Sequence, residues 1–336
     1  MEKAVEVLVT LPLSAELLSR LQSVSPRVRV TAQSGANIPA EAWERCEVLF
    51  TARTLPTPEQ APNLKWIQSY FAGVDSMLDT PIFQKPGIRI TTLSGAAASQ
   101  MAEYAVMMML ALGHRLPAMS EAQRKKDWPR DRWERFSPRE LRDATVGIVG
   151  YGSIGRQVAR LLQPFGAVVL ACKREAMHPE DRGYTREGWG DPTGDLVQRL
   201  YPSQAIRSMV KTCDFVVITA PLTAQTRNLI NASVLAAMKP GAFLVDVSRG
   251  GIVNHEALVK AVQEGRLGGA ALDVFPEEPL PADSPLWSLP NVIITPHISG
   301  NSAAYDARAV ELFTENLRRY IEGLPLHNLL DPQRGY

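Results

Sequence analysis

The sequence predicts an α/β protein built on parallel sheets. Three observations carry this. Short β-type runs alternate with helical stretches along most of the chain, the alternation becomes strictly regular after residue 145, and 336 residues suit two domains better than one. With 45% apolar and 21% charged residues, the composition excludes wholesale disorder and leaves enough material for two cores. The 36 basic and 35 acidic side chains leave a net +1, which argues against a nucleic-acid binder that works by bulk charge. Cys46, Cys172 and Cys213 lie far apart with no CxxC, so neither a disulfide scaffold nor a metal site is expected. The opening MEKAVEVLVTLPLS has no basic stretch followed by a long apolar one, and the longest apolar run, Ala105 to Gly113, is too short for a bilayer. A cytoplasmic protein without a membrane contact is the expectation.

The elements follow in order. Val5 to Val9 reads as a strand, and Ser14 as the cap of a helix carrying Leu17, Leu18 and Leu21. Strand-like runs recur at Val28–Val30, Val48–Phe50, Trp66–Gln68 and Ile88–Ile90. Ser99 to Leu116 reads as a helix apolar on nearly every side, hence buried, between domains or at a subunit contact. The charged stretch QRKKDWPRDRWERF (123–136) is either surface packing or an arm that clasps a partner subunit, since Trp and Arg favour interfaces. Strands are expected at Thr145–Val149, Ala167–Ala171, Phe215–Thr219, Phe243–Val247, Gly269–Leu272 and Val292–Thr295. Polar, Gly- and Asp-rich sequence at 175–204 interrupts this rhythm. Residues 303–322 form an amphipathic helix with Ala309, Leu312, Phe313, Leu317 and Ile321 on one side.

Between the strand at 145–149 and the helix after it stands Gly150-Tyr151-Gly152-Ser153-Ile154-Gly155. In that context the first glycine permits the tight turn, the second lets the backbone approach a pyrophosphate, and the third packs helix against strand. The next strand ends Ala171-Cys172-Lys173-Arg174, where a dinucleotide fold using NAD usually carries an acid for the ribose 2′-hydroxyl. Two cations there attract a 2′-phosphate, which favours NADP, with NAD as the alternative.

Three later motifs end strands: Asp246-Val247-Ser248-Arg249-Gly250-Gly251, Leu272-Asp273-Val274-Phe275-Pro276-Glu277-Glu278-Pro279 and Thr295-Pro296-His297-Ile298-Ser299-Gly300. Ligands of open α/β sheets bind beyond the carboxyl ends of strands, so an Arg, a Glu and a His at three such ends can share one site. The set suits reduction of a 2-oxo acid. Arginine forks onto a carboxylate, and histidine gives a proton to the carbonyl oxygen while a carboxylate holds its ring.

With GYGSIG, VSRGGIV (247–253), ALDVFPEEP (271–279) and TPHISG (295–300) in this order and spacing, the chain resembles the D-isomer-specific 2-hydroxyacid dehydrogenases, which include phosphoglycerate, glyoxylate/hydroxypyruvate and D-lactate dehydrogenases. The resemblance covers nearly the whole chain. It implies two Rossmann-like, doubly wound domains, with the dinucleotide domain (98–299) inserted into a discontinuous substrate domain (1–97 and 300–336) and the active site in a cleft that closes between them. It implies Arg249 as the substrate-orienting cation, His297 as the proton donor and acceptor, and Glu278, which directly precedes the proline, as its partner in preference to Glu277. It places Asp273 near the nicotinamide carboxamide, and Ala220, Pro221 and Val247 along the cofactor. It identifies Phe71-Ala72-Gly73-Val74-Asp75 as the loop whose N–H groups take the substrate carboxylate, with Arg53 close by. It also implies a homodimer formed through the dinucleotide domain.

The chain departs from the family pattern at Lys173, where NAD-using relatives carry Asp, and in the length of 175–204, which is expected to cover the adenosine end or touch a neighbouring subunit. Glu278 argues against the formate dehydrogenases of this superfamily, which carry Gln there. The activity implied is reduction of a small 2-oxo acid to the D-2-hydroxy acid, or the reverse. An NAD-using D-3-phosphoglycerate dehydrogenase-like enzyme and a non-catalytic dinucleotide-sensing protein are the alternatives.

Overall fold

The structure, a computed structural model, describes residues 3–35, 37–331 and 334–335. It divides into two compact units, Met1–Ala97 with Ser302–Tyr336, and Ala98–Asn301. Both are α/β with wholly parallel sheets.

The first unit opens with β1 (Val5–Val9), α1 (Ala15–Gln22), β2 (Val28–Ala32), α2 (Ala40–Arg45), β3 (Val48–Thr51), β4 (Trp66–Ser69), α3 (Pro81–Gln84) and β5 (Arg89–Thr91). Ser14 caps α1 by accepting the Leu17 N–H, as its position predicts. The strand order is β2-β1-β3-β4-β5, so the winding reverses between β1 and β3. Their carboxyl ends are joined by a bond from the Thr10 hydroxyl to that of Thr51, and Arg53 follows immediately.

In the second unit, α4 (Ala98–Gly113), α5 (Leu116–Arg124) and α6 (Arg132–Arg135) precede the sheet. The long helix expected to Leu116 stops at Gly113. A Cβ at Gly113 would stand 2.5 Å from the Arg139 carbonyl oxygen, and Arg115 adopts a left-handed φ of 59° that starts α5 in a new direction. There follow β6 (Thr145–Val149), α7 (Ser153–Leu162), β7 (Val168–Lys173), β8 (Arg199–Pro202), α8 (Ile206–Val210), β9 (Phe215–Ile218), α9 (Ala232–Ala237), β10 (Ala242–Asp246), α10 (His255–Gln263), β11 (Leu267–Leu272) and β12 (Val292–Ile294). The order is β12-β11-β10-β9-β6-β7-β8, which reverses between β6 and β9. β8 was not expected, because RLYP alternates too weakly to announce a strand. Its pairing with β7 creates it.

The last helix, α11 (Tyr305–Glu322), returns to the first unit. Ala309, Leu312, Phe313 and Leu317 are buried there as the periodicity predicts. The Phe313 ring centre lies 4.4 Å from that of Phe50 and 5.3 Å from that of Trp66, and Asn316 donates to Gln68 within the same core. Among the described residues, no helix is long and apolar enough to cross a membrane.

Candidate active site

The second sheet reverses its order between β6 and β9, which is where a ligand crevice is expected in such a sheet. The glycine turn leaves β6 there. Gly150 has φ +103°, and a Cβ on it would sit 2.5 Å from the Ala220 nitrogen, so the turn lies directly on the chain leaving β9. A Cβ at Gly155 would lie 2.4 Å from the Gly150 oxygen. A Cβ at Gly152 would meet nothing within 4 Å. Two glycines are thus required by protein contacts, while the middle one faces open space at the N-terminus of α7, beside the partly exposed Ser153 and Ile154. That arrangement fits a dinucleotide pyrophosphate, with the helix N–H groups available to it. Ala220 and Val247 are buried beside the turn, while Pro221 is exposed at the rim.

The Tyr151 side chain turns inward, 3% exposed, and its hydroxyl donates to Asp191 Oδ2 at 2.5 Å, which leaves its backbone for a cofactor. The two cations after β7 also differ from each other. Lys173 Nζ donates to the carbonyls of His178 (2.6 Å) and Glu180 (3.4 Å), and burial, with Arg156 nearby, lowers the pKa of its ammonium. Arg174 lies 3.8 Å from Glu175 and is more exposed. The two cations are thus held differently, Lys173 being tied to the following loop.

The three motifs leave β10, β11 and β12, which are neighbours in register, Asp246 beside Leu272 and Leu272 beside Ile294. A Cβ at Gly250 would stand 1.9 Å from the Phe275 oxygen, so the loop bearing Arg249 is pressed against the loop bearing Glu278 in a way only glycine allows. Arg249 is half-buried, with Nη1 donating to the Ser248 carbonyl at 2.8 Å. Glu278 accepts the Phe275 N–H through Oε1 (3.0 Å) and meets His297 Nδ1 through Oε2 (2.8 Å). The His297 side chain is 43% exposed, with Nδ1 engaged by Glu278.

His297 has φ +52°, a left-handed conformation costing about 1–3 kcal/mol in a side-chain-bearing residue. Asp273, wholly buried, holds it there. Its Oδ1 accepts the Thr295 hydroxyl (2.6 Å) and the Ile298 N–H (2.9 Å), and its Oδ2 accepts the Ser299 N–H (2.8 Å). The carboxylate expected beside a carboxamide is therefore also the anchor of the histidine loop. Sequence reasoning did not signal this, nor two ties from α4: the Tyr104 hydroxyl meets Thr295 Oγ1, and Gln100 donates to the Gly300 carbonyl. The available signal was a cluster of polar residues, Ser99, Gln100, Glu103 and Tyr104, in the first half of an otherwise apolar helix.

Beneath this loop, Asp246 Oδ1 accepts the Ser248 N–H at 3.0 Å, while Oδ2 has no partner among the described residues. Burial pushes its carboxyl up to about 7; Ser248 opposes the shift and the neighbouring Asp273 adds to it. In the first unit, Ala72, Gly73 and Val74 follow β4, and Val74 is buried. The Arg53 guanidinium lies 5.7 Å from the Phe71 ring centre, beside that loop.

Residues 106–299 match the family model described as D-isomer specific 2-hydroxyacid dehydrogenase, NAD binding domain. The chain belongs to the D-isomer-specific 2-hydroxyacid dehydrogenases. It is an NAD(P)-dependent oxidoreductase of that family. A glyoxylate reductase from Thermofilum pendens is 34% identical over 270 residues, covering 79% of this chain and 74% of its own. A family member from Xanthobacter autotrophicus, solved with NADPH and MES, superposes with a TM-score of 0.80 at 28% identity, covering 99% of this chain and 100% of its own. An NADPH-dependent glyoxylate/hydroxypyruvate reductase from Sinorhizobium meliloti gives 0.77 at 28% identity, with 99% and 100% covered.

Proposed function

We propose that this dehydrogenase reduces small 2-oxo acids of the glyoxylate and hydroxypyruvate type to D-2-hydroxy acids, with NADPH as the preferred reductant. The observation that carries the reading is the hydrogen-bonded His297–Glu278 pair beyond β12 and β11, with Arg249 beyond β10, the strand that adjoins β11. Bound NADPH supplies the hydride to the carbonyl carbon. Arg249 orients the substrate through its planar fork of donors. His297 delivers the proton to the carbonyl oxygen from Nε2, while Nδ1 keeps its bond to Glu278 and the carboxylate balances the imidazolium. The N–H groups of Ala72, Gly73 and Val74 take the substrate carboxylate, with Arg53 supporting that loop. Residues 98–299 act as the dinucleotide domain, and 1–97 with 300–336 as the substrate domain.

The cofactor preference is supported by the basic pair where an acid would select NAD, and by relatives solved with NADPH or named NADPH-dependent. The test is steady-state turnover of glyoxylate, hydroxypyruvate, pyruvate and longer 2-oxo acids with both cofactors. Turnover of the shorter acids with a kcat/KM for NADPH about tenfold or more above that for NADH is expected. No turnover across the panel with dinucleotide binding retained moves the protein to the sensing class.

A second copy of the chain is the proposed partner, through the face formed by α4 to α6. Trp128 (83% exposed) lines a hollow of about 420 Å³ there with Met119, Pro129 and Phe136, and Trp133 (80%) and Met107 (50%) are exposed on the same stretch of chain. Exposed apolar groups gathered like this mark an association surface. Light scattering should report a dimer for the native chain and a monomer for Trp128→Glu with Trp133→Glu.

A further inference from the structure

The stretch between β7 and β8 contains no helix or strand, and most connections in α/β units need only about 2–6 residues. It is nevertheless fastened down. Arg156, in the first turn of α7, is 1% exposed. Its Nη1 donates to the Asp191 carbonyl and Nη2 to the Pro179 carbonyl, its Nε lies 3.4 Å from Asp181 Oδ2, and its guanidinium carbon lies 4.6 Å from the Tyr151 ring centre. Asp191, 3% exposed, takes the Tyr151 hydroxyl and the N–H groups of Gly194, Asp195 and Leu196. Gln157 accepts the Gly190 N–H at 2.6 Å, and Arg160 donates to the Gly190 carbonyl at 2.5 Å. From β7, Lys173 holds the His178 and Glu180 carbonyls.

The anchors named sit on the elements that the proposed reading places against a dinucleotide. Tyr151 belongs to the glycine turn, Arg156, Gln157 and Arg160 to the helix whose N-terminus faces the pyrophosphate, and Lys173 to the strand end where the ribose 2′ substituent is read. A buried guanidinium and carboxylate are costly to desolvate, and here both Nη atoms and both Asp191 oxygens are hydrogen-bonded, while Nε makes no hydrogen bond among the described residues and has only the Asp181 carboxylate near it. An ammonium that already donates to two carbonyls has one N–H left.

We propose that residues 178–196 form a cofactor-selectivity strap. The Tyr151–Arg156–Asp191 cluster clamps the strap to the glycine turn, and the strap holds Lys173 so that Arg174 is the principal reader of an adenosine 2′-phosphate. Asp191 is then a positioning residue, with no contact to cofactor or substrate. The inference rests on the NADPH reading above.

The test compares calorimetric binding of adenosine 2′,5′-bisphosphate and of AMP to the native enzyme and to Asp191→Asn. The variant keeps the size of the side chain but removes its charge and the oxygen that takes the Tyr151 hydroxyl. The preference for the bisphosphate should fall about tenfold, while AMP affinity and the kcat at saturating NADPH stay within about twofold. Amide exchange should speed up within 178–196 only. Gly194→Ala, whose Cβ would stand 2.7 Å from that of Pro179 at a φ of +83°, attacks the strap without touching α7 and should lower the preference about threefold. A preference unchanged in both variants overturns the strap, as does an equal loss of both ligands. A native enzyme that binds AMP as tightly as the bisphosphate overturns the NADPH reading and the selectivity role together, a result distinct from failure of the strap alone.

Discussion

Two loops of the second unit are organised by the same device and differ in one respect. Asp273 and Asp191 are both buried aspartates whose carboxylates gather successive backbone N–H groups, those of 298 and 299 in one case and of 194, 195 and 196 in the other. In the 175–198 loop the left-handed positions are glycines, Gly188, Gly190 and Gly194, where the conformation costs little. In the histidine loop the left-handed residue is His297 itself. A loop that only has to lie in place uses glycine. A loop that has to present an imidazole accepts backbone strain and is held in it by the buried Asp273.

The comparison can be broken at several points. His297→Ala removes the group that the strained turn exists to present, so kcat should fall by about 10²–10⁴ with the dissociation constant for NADPH changed less than about twofold. A comparable loss of cofactor affinity would show that the turn serves binding instead. Asp273→Asn leaves an acceptor for only part of the loop. It should lower kcat about 10–100-fold, with substrate KM moving less than kcat, because the histidine is misplaced rather than lost. Tyr104→Phe removes one outlying tie, the bond to Thr295, and should lower kcat about two- to fivefold. A Tyr104→Phe effect as large as that of Asp273→Asn would move the anchor from the buried carboxylate to α4.

The smallest effect concerns stability. The Asp246 carboxyl is raised from 3.8 to about 7 in the folded protein, so the fold binds a proton that the unfolded chain releases. The resulting stabilisation is complete below about pH 4 and is lost as pH rises through about 7. His255 has the opposite sign. Burial lowers its pKa from 6.5 to about 4, so its contribution is complete above about 6.5 and is lost as pH falls through about 4. Comparing native protein with Asp246→Asn cancels the histidine. The variant should gain about 3–6 °C in Tm relative to the native chain between about pH 5 and pH 8. Parallel melting curves across that range would show that Asp246 stays ionised.

Much of the site was legible because its chemistry is local. The glycines at 150, 152 and 155, the acid preceding Pro279 and the histidine after Pro296 each announce themselves within a few residues. Legibility ended where a side chain acts at a distance. Nothing near Asp191 in the sequence indicates that it takes the Tyr151 hydroxyl 40 residues away, and nothing near Tyr104 points to Thr295, 191 residues on. Lys173 and Arg174 look alike as a pair of cations, and only the folded loop separates them by offering the carbonyls of His178 and Glu180 to the first.

By itself, the sequence determined the parallel α/β class, the glycine turn and the residue types of the reacting trio, because strand period, turn stereochemistry and side-chain chemistry are properties of short segments. Tertiary structure decided which side chains the helix after residue 305 packs against, where the helix after residue 98 stops, which of the two cations after β7 is tied to the following loop and which carboxylate holds the histidine loop. Those outcomes depend on buried hydrogen bonds and ring contacts between segments far apart in the chain, and such partners exist only once the chain has folded.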